Sequence, residues 1–291
     1  MSKLSELSYI KEVLARHGFH FSKAMGQNFL INPGICPRMA AECGADQAAG
    51  VIEIGPGMGV LTWELSQAAK KVVAVELDRR LFPVLEETLA DCGNVELVEG
   101  DILELDLQEL IREKFGGEKV CVCANLPYYI TSPVLMRLLE SDLPLQSVTV
   151  MVQKEAAKRI CARPGTRECG AVSASVWYHS SPEILFPVSR GSFYPPPNVD
   201  SAVIRLSLRQ EPPVKVQDKN QFFKIVRAAF SQRRKTAANS IASAGRFTKI
   251  QVEQALEAAG AAKNARAEQL TLEQLATLSN ALLKKEMRNE E

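Results

Sequence analysis

Residues 51–59 read Val-Ile-Glu-Ile-Gly-Pro-Gly-Met-Gly: a short apolar run that ends in a glycine-rich turn. Glycine turns the backbone tightly and approaches a ligand with no Cβ in the way. A helical stretch follows, from about Val60 to Ala69, and its first N–H groups are free to meet a ligand. The next β-branched run, 71–77, carries Glu76, 21 residues beyond Gly55. A carboxylate at that place accepts both hydroxyls of a ribose. A third run, 94–101, ends in Asp101, whose side chain can take a hydrogen bond from an adenine amino group while the Ile102 N–H reaches a ring nitrogen.

The pattern continues outward. A fourth strand is predicted over 119–127, a helix around Pro133–Leu139, another apolar run over 147–153 and a helix over 154–163. Strands alternating with helices predict an α/β fold, a Rossmann-like, mostly parallel sheet with helices on both faces. Residues 171–178 and 201–208 read as further strands. The segment Glu-Pro-Pro-Val (211–214) marks a linker, and 219–287 carry Ala, Leu, Lys and Glu at helical spacing. We therefore expect an α/β domain over 1–210 with an N-terminal helical arm, and a small helical domain over 211–291.

Composition narrows the class. The chain has 291 residues, 46% hydrophobic and 24% charged, with a formal net charge of +1, so a basic surface must be sought locally. Leu4, Leu7, Ile10 and Leu14 recur at helical spacing, which predicts an amphipathic helix in place of a signal peptide. No apolar run is long enough to span a membrane. These features predict a cytoplasmic protein, and we expect a monomer. The seven cysteines include no CxxC pair and read as small buried hydrophobes. The three histidines (His17, His20, His179) lack metal-ligand spacing and read as structural or RNA-facing; no metal is expected.

The glycine spacing separates two cofactor readings. A dinucleotide fingerprint is GxGxxG, whereas the glycines here fall at 55, 57 and 59 with Glu53 in front. That form resembles motif I of class I methyltransferases and disfavours a nicotinamide oxidoreductase. The cofactor it implies is S-adenosylmethionine.

Asn125-Leu-Pro-Tyr128 follows the fourth predicted strand, and ligands of open α/β sheets bind beyond the carboxyl ends of the strands. The tetrapeptide is either an ordinary turn or an acceptor site. As an acceptor site it has a chemical logic. An aromatic exocyclic amine is a poor nucleophile because its lone pair is delocalised. Two acceptors aimed at its hydrogens, the Asn125 side-chain oxygen and the Leu126 carbonyl, favour a pyramidal nitrogen with the lone pair free. Pro127 restricts Leu126 to an extended conformation and so aims that carbonyl. Tyr128 can stack on the base. In Phe193-Tyr-Pro-Pro-Pro-Asn-Val199, Phe193 is either the opposite wall of a base sandwich or a core aromatic beside a rigid connector.

Taken together, these motifs resemble those of the ribosomal RNA small-subunit adenine N6,N6-dimethyltransferases, from about residue 10 to 280. Met25-Gly-Gln-Asn-Phe-Leu30, Glu53 to Thr62, Val75 to Asp78, Glu99 to Ile102, Asn125 to Tyr128, Met151 to Glu155, Arg163 to Gly165, Phe193 to Val199 and Ala229 to Thr236 follow in the family's order. The resemblance implies that Gln27, Asn28 and Leu30 close over the cofactor, and that Glu53, Gly55, Gly57, Glu76, Leu77, Asp101, Ile102 and Asn125 hold it. It implies a substrate of two adjacent adenines in a hairpin near the 3′ end of the small-subunit RNA, each methylated twice, with the small ribosomal subunit or its precursor as partner. Met25, Cys169 and Ala237-Ala238 depart from the family's usual Leu, Tyr and larger apolar residues.

Local charge supports an RNA partner. Residues 221–250 contain Lys224, Arg227, Arg233, Arg234, Lys235, Arg246 and Lys249 and no Asp or Glu, whereas 86–109 are acidic. Lys154, Lys158, Arg159, Arg163 and Arg167 form a second basic stretch. Tyr128, Phe193, Lys154, Arg159, Arg233, Arg234 and Lys235 are the candidate RNA contacts. Two further readings stay open: a large-subunit adenine methyltransferase of the macrolide-resistance type, and a non-catalytic ribosome assembly factor.

Overall fold

The computed structural model describes residues 3–22 and 26–289, without the side chains of Gln47 and of 285–289. Met25 lies outside the described residues. Seven strands form one sheet: β1 (Val51–Ile54), β2 (Val72–Glu76), β3 (Val95–Glu99), β4 (Val120–Asn125), β5 (Leu145–Gln153), β6 (Ser180–Val188) and β7 (Ser201–Leu208). Their order is β3-β2-β1-β4-β5-β7-β6. The β1–β2, β2–β3, β1–β4 and β4–β5 pairs are parallel and β5–β7 is antiparallel. The expected α/β architecture is present, as a mixed sheet.

Burial explains the strand sequences. Every residue of β1 and β2 is buried, and so is β4 up to Ala124. Strands covered on both faces read as continuous apolar runs, and each fully buried Val or Ile contributes about 1.5–3 kcal/mol. Strand β3, at the sheet edge, is only partly covered.

Helices α1 (Leu7–Arg16) and α2 (Ile35–Glu42) precede the sheet. Helices α3 (Val60–Ala68), α4 (Phe82–Thr88), α5 (Leu107–Phe115) and α6 (Thr131–Glu140) occupy the crossovers of the parallel strands. Capping matches sequence: Asp106 accepts from the Glu109 N–H at the start of α5, and Gly116 closes it with φ +65°. The N-terminal amphipathic helix is present as α1, with Ile10, Val13 and Leu14 buried.

One expectation fails. Residues 171–178 are not a strand; α8 spans Ala171–His179. Its Val, Trp and Tyr favour strands, but Ser173, Ala174, Ser175, Val176 and Tyr178 are all buried, and a helix covered all round shows no helical period. The missed strand is β6, whose Pro182 and Pro187 argue against a strand. It lies at the sheet edge, where proline is tolerated.

The chain divides into two compact units. One comprises residues 1–157 and 183–208, the other 158–182 and 209–291. The expected cut after 210 falls beside one of these boundaries, but 158–182 group with the C-terminal segment and not with the sheet. These residues include the end of α7 (Lys154–Cys161), all of α8 and the first three residues of β6. The reason is packing. Ala174 and Tyr178 belong to the second unit's core with Phe222, Phe223 and Val226 of α9 (Lys219–Phe230). That core is completed by α10 (Ala237–Ala242), α11 (Lys249–Ala258) and α12 (Leu272–Asn289). Ala237 and Ala238 are fully buried in it. His179 stacks on Phe223, with ring centroids 5.3 Å apart.

All seven cysteines are free thiols, five of them buried. No helix among the described residues is long and apolar enough to cross a membrane.

Candidate active site

The carboxyl ends of β1, β2, β3 and β4 lie side by side. The register pairs Ile54 with Val75 and Ala124, and Glu76 with Glu99. Beyond these ends opens a cleft of about 1110 Å³, including its mouth. Every residue expected to hold the cofactor lines it: Gln27, Asn28, Leu30, Glu53, Gly55, Gly57, Glu76, Leu77, Asp101, Ile102 and Asn125. Leu126, Pro127, Tyr128 and Phe193 line it too.

The glycine loop is shaped from both sides. Gly55 has φ +67°, and nothing lies within 4 Å of the place a Cβ would take. Gly57 has φ +59°, and a Cβ there would stand 3.1 Å from the Phe29 ring. That ring arrives from the N-terminal arm, where Phe29 and Leu30 pair antiparallel with Tyr194 and Phe193. The 26–30 motif and the 193–199 motif therefore form one small ladder against the loop.

Three carboxylates line the cleft in different surroundings. Glu53 is 1% exposed, and its Oε2 has no hydrogen-bond partner among the described residues. Burial pushes its carboxyl up to about 8, and repulsion from Glu76 adds to the rise. The neighbouring Thr62 hydroxyl counters part of this, although it stands outside hydrogen-bond geometry. Burial also raises Glu76, opposed by the backbone N–H groups of Asp78, Gly57 and Leu77; the Asp78 N–H donates to Oε1 at 2.8 Å. Asp101 Oδ1 accepts the Leu103 N–H at 2.8 Å, which leaves Oδ2 for a ligand.

These residues fit S-adenosylmethionine. The open space at Gly55, the orphaned Glu53 oxygen, the second oxygen of Asp101 and the exposed face of Leu77 (51%) offer what an amino acid joined to a nucleoside needs.

The tetrapeptide is set by its backbone. Asn125 Nδ2 donates to the Asn28 carbonyl at 3.3 Å. A carbonyl can only accept, so the amide nitrogen must face Asn28 and Oδ1 is left for the cleft. The Leu126 N–H donates to Met151 O at 3.3 Å, and the Pro127 carbonyl accepts from the Ile130 N–H at 3.2 Å. The Leu126 carbonyl accepts from no described residue. Two acceptors thus stand side by side without internal donors. The Tyr128 hydroxyl is 2.8 Å from Ser201 Oγ.

Phe193 is only 3% exposed and belongs to the sheet's core while lining the cleft. Gln27 has a structural partner as well: its Nε2 donates to Asp78 Oδ2 at 2.9 Å, and the Arg80 guanidinium holds Asp78 below the usual carboxylate range.

Lys154, Arg159, Arg233, Arg234 and Lys235 do not line the cleft. Lys154 borders a separate recess with Ser189, Arg190 and Asp200. In the second unit, Arg159 lies on α7, and Arg233, Arg234 and Lys235 are exposed between α9 and α10.

Sequence reasoning missed three residues. Arg137 of α6 donates to the carbonyls of Leu103 and Leu105, clamping the loop that presents Asp101. Ser201 tethers Tyr128. Tyr129 lines the cleft mouth. Nothing in an arginine amid an apolar helix, or a serine opening a strand, signals such a partner; Tyr129 was readable as a second aromatic beside the motif.

Comparison with known proteins agrees with this geometry. The ribosomal RNA adenine dimethylase family matches residues 18–284. Ribosomal RNA small subunit methyltransferase A of Geobacillus sp. (strain WCH70) is 46% identical over 276 residues, 94% of this chain and 95% of that protein. The protein of the same name from Clostridioides difficile (strain 630) is 44% identical over 282 residues, 97% of this chain and 98% of its own. Among solved structures, the 23S rRNA methyltransferase ErmE superposes with a TM-score of 0.68 at 28% identity, covering 88% of this chain and 99% of that one. A dimethyladenosine transferase from Plasmodium falciparum has the same fold, with a TM-score of 0.71 over 90% of this chain and 98% of its own.

Proposed function

This chain belongs to the ribosomal RNA adenine dimethylase family, and we propose that it methylates N6 of two adjacent adenines in a hairpin near the 3′ end of small-subunit ribosomal RNA, twice each. The small ribosomal subunit or its precursor is the partner, and the cytoplasm the place of action. S-adenosylmethionine, when bound, supplies the electrophilic methyl group.

The observation that carries this reading is the pair of unoccupied acceptors, Asn125 Oδ1 and Leu126 O. In the first transfer they accept the two N6–H bonds of an adenine and in the second the one that remains. They turn the lone pair toward the carboxyl edge of the sheet and stabilise positive charge on the nitrogen, which loses one proton to solvent after each transfer. The Tyr128 ring supports the base. Catalysis rests on positioning and preorganised dipoles. The basic loop at 233–235 supplies phosphate contacts, which give affinity without reading sequence.

Relatives named for small-subunit RNA, 44–47% identical, favour this substrate over the large subunit. The test is transfer from labelled S-adenosylmethionine to small subunits that lack the modification, followed by nucleoside analysis. N6,N6-dimethyladenosine at two neighbouring positions, lost in Asn125→Ala, is expected. Transfer to large-subunit RNA alone would overturn the substrate, and no transfer at all would overturn the activity.

A further inference from the structure

Tyr129 is 61% exposed and is the one aromatic among the large hydrophobic side chains that stand exposed in the described residues. It lines the mouth of the cleft, directly after Tyr128, in the 3-10 turn Tyr128–Ile130. Successive residues of such a turn point about 120° apart. Tyr128 is half-buried with its hydroxyl held by Ser201, whereas Tyr129 points outward. One edge of its ring rests on Gly26: a Cβ there would lie 3.6 Å from Cε1 and 3.7 Å from Cδ1. No described aromatic ring or cation packs on it. An exposed aromatic face at the mouth of such a cleft can stack on a nucleobase, because every base presents a π-face.

We propose that the Tyr129 ring is the stacking platform for the nucleobase next to the one being methylated. This rests on the proposed RNA substrate. A target adenine that enters the cleft leaves its stack at a cost of a few kcal/mol, and its neighbour loses a stacking face at the same moment. Tyr129 stands where the strand leaves the cleft and restores that face. Stacking tolerates any base, so the platform holds the neighbouring adenine in both its unmethylated and dimethylated forms.

The test uses full-length protein, labelled S-adenosylmethionine and undermethylated small subunits. Tyr129→Ala raises KM for subunits by about 5- to 150-fold, the equivalent of ~1–3 kcal/mol for one base–aromatic stack. KM for S-adenosylmethionine does not change, and Tyr129→Phe and Tyr129→Trp stay close to wild type. In parallel, a short oligoadenylate carrying 2-aminopurine is quenched by wild type and Tyr129→Trp but not by Tyr129→Ala. An unaltered KM for subunits with unaltered quenching, a loss confined to S-adenosylmethionine, or a Tyr129→Phe as poor as Tyr129→Ala would each overturn the platform. Wild-type protein inert on small subunits would sink the substrate reading instead, and the quenching would then decide the stacking by itself.

Discussion

The Tyr128 hydroxyl lies 2.8 Å from the Ser201 hydroxyl, which is fully buried at the first position of β7. Ser201 is fixed in register opposite Gln153 of β5, so the sheet itself orients the Tyr128 ring. Ser201→Ala frees that ring. We expect kcat to fall several-fold, KM for S-adenosylmethionine to hold, and Ser201→Thr to restore the rate. Steady-state kinetics with small subunits check this; equal losses for Ala and Thr would refute the tether.

Asn125→Ala removes one of two acceptors. Loss of a single preorganised group at a developing charge costs about 10²–10³ in kcat, and that is the expected loss. Asn125→Asp keeps an oxygen for the amine but sets a carboxylate against the Asn28 carbonyl, so it should lose both stability and rate. Thermal melting and single-turnover methyl transfer separate the two effects.

Glu53 gives stability a pH dependence of known sign. Its carboxyl is raised by burial to about 8 in the folded chain, against about 4.3 unfolded. Its contribution is complete below the unfolded value and is lost as pH rises toward 8. Glu53→Gln removes that loss. The stability gap between Glu53→Gln and wild type should widen from pH 5 to pH 8, reaching on the order of 3 kcal/mol near pH 7. Urea unfolding across that range checks it, and a constant gap would mean Glu53 titrates normally.

Arg137→Ala releases the loop over Leu103–Leu105 and with it the carboxylate of Asp101. Hydrogen bonds from a charged group to carbonyls are worth about 1.5–3 kcal/mol each. We expect affinity for S-adenosylhomocysteine to weaken about tenfold or more, measured by calorimetry on protein whose melting still shows a folded sheet.

Replacing Arg233, Arg234 and Lys235 together by alanine should weaken small-subunit binding and flatten its dependence on salt, since each phosphate contact steepens that slope by roughly one unit. Binding measured between low and physiological salt checks it. An unchanged slope would place the RNA elsewhere.

Much of the site was legible because its signals are local. Gly55 and Gly57 share the turn that follows Glu53 of β1, and Glu76, Asp101 and Asn125 each end or follow an apolar strand, so a parallel sheet brings them to one edge. What failed was also local in cause. The apolar stretch 171–178 has no period because its surroundings cover every side of it, and β6 hides behind two prolines that only an edge strand accepts.

The amino-acid sequence by itself determined the layered α/β fold, the cofactor loop and the acceptor tetrapeptide, since backbone freedom at glycine, continuous apolar runs and residue order act over a few residues. Only the tertiary structure decided which way the Asn125 amide faces, what fixes Tyr128 and what clamps the Asp101 loop. Those answers come from Asn28, Ser201 and Arg137, whose partners lie 97, 73 and more than thirty residues away in the chain. A hydrogen bond needs its two atoms within about 3 Å, and at such separations only the finished packing brings them there.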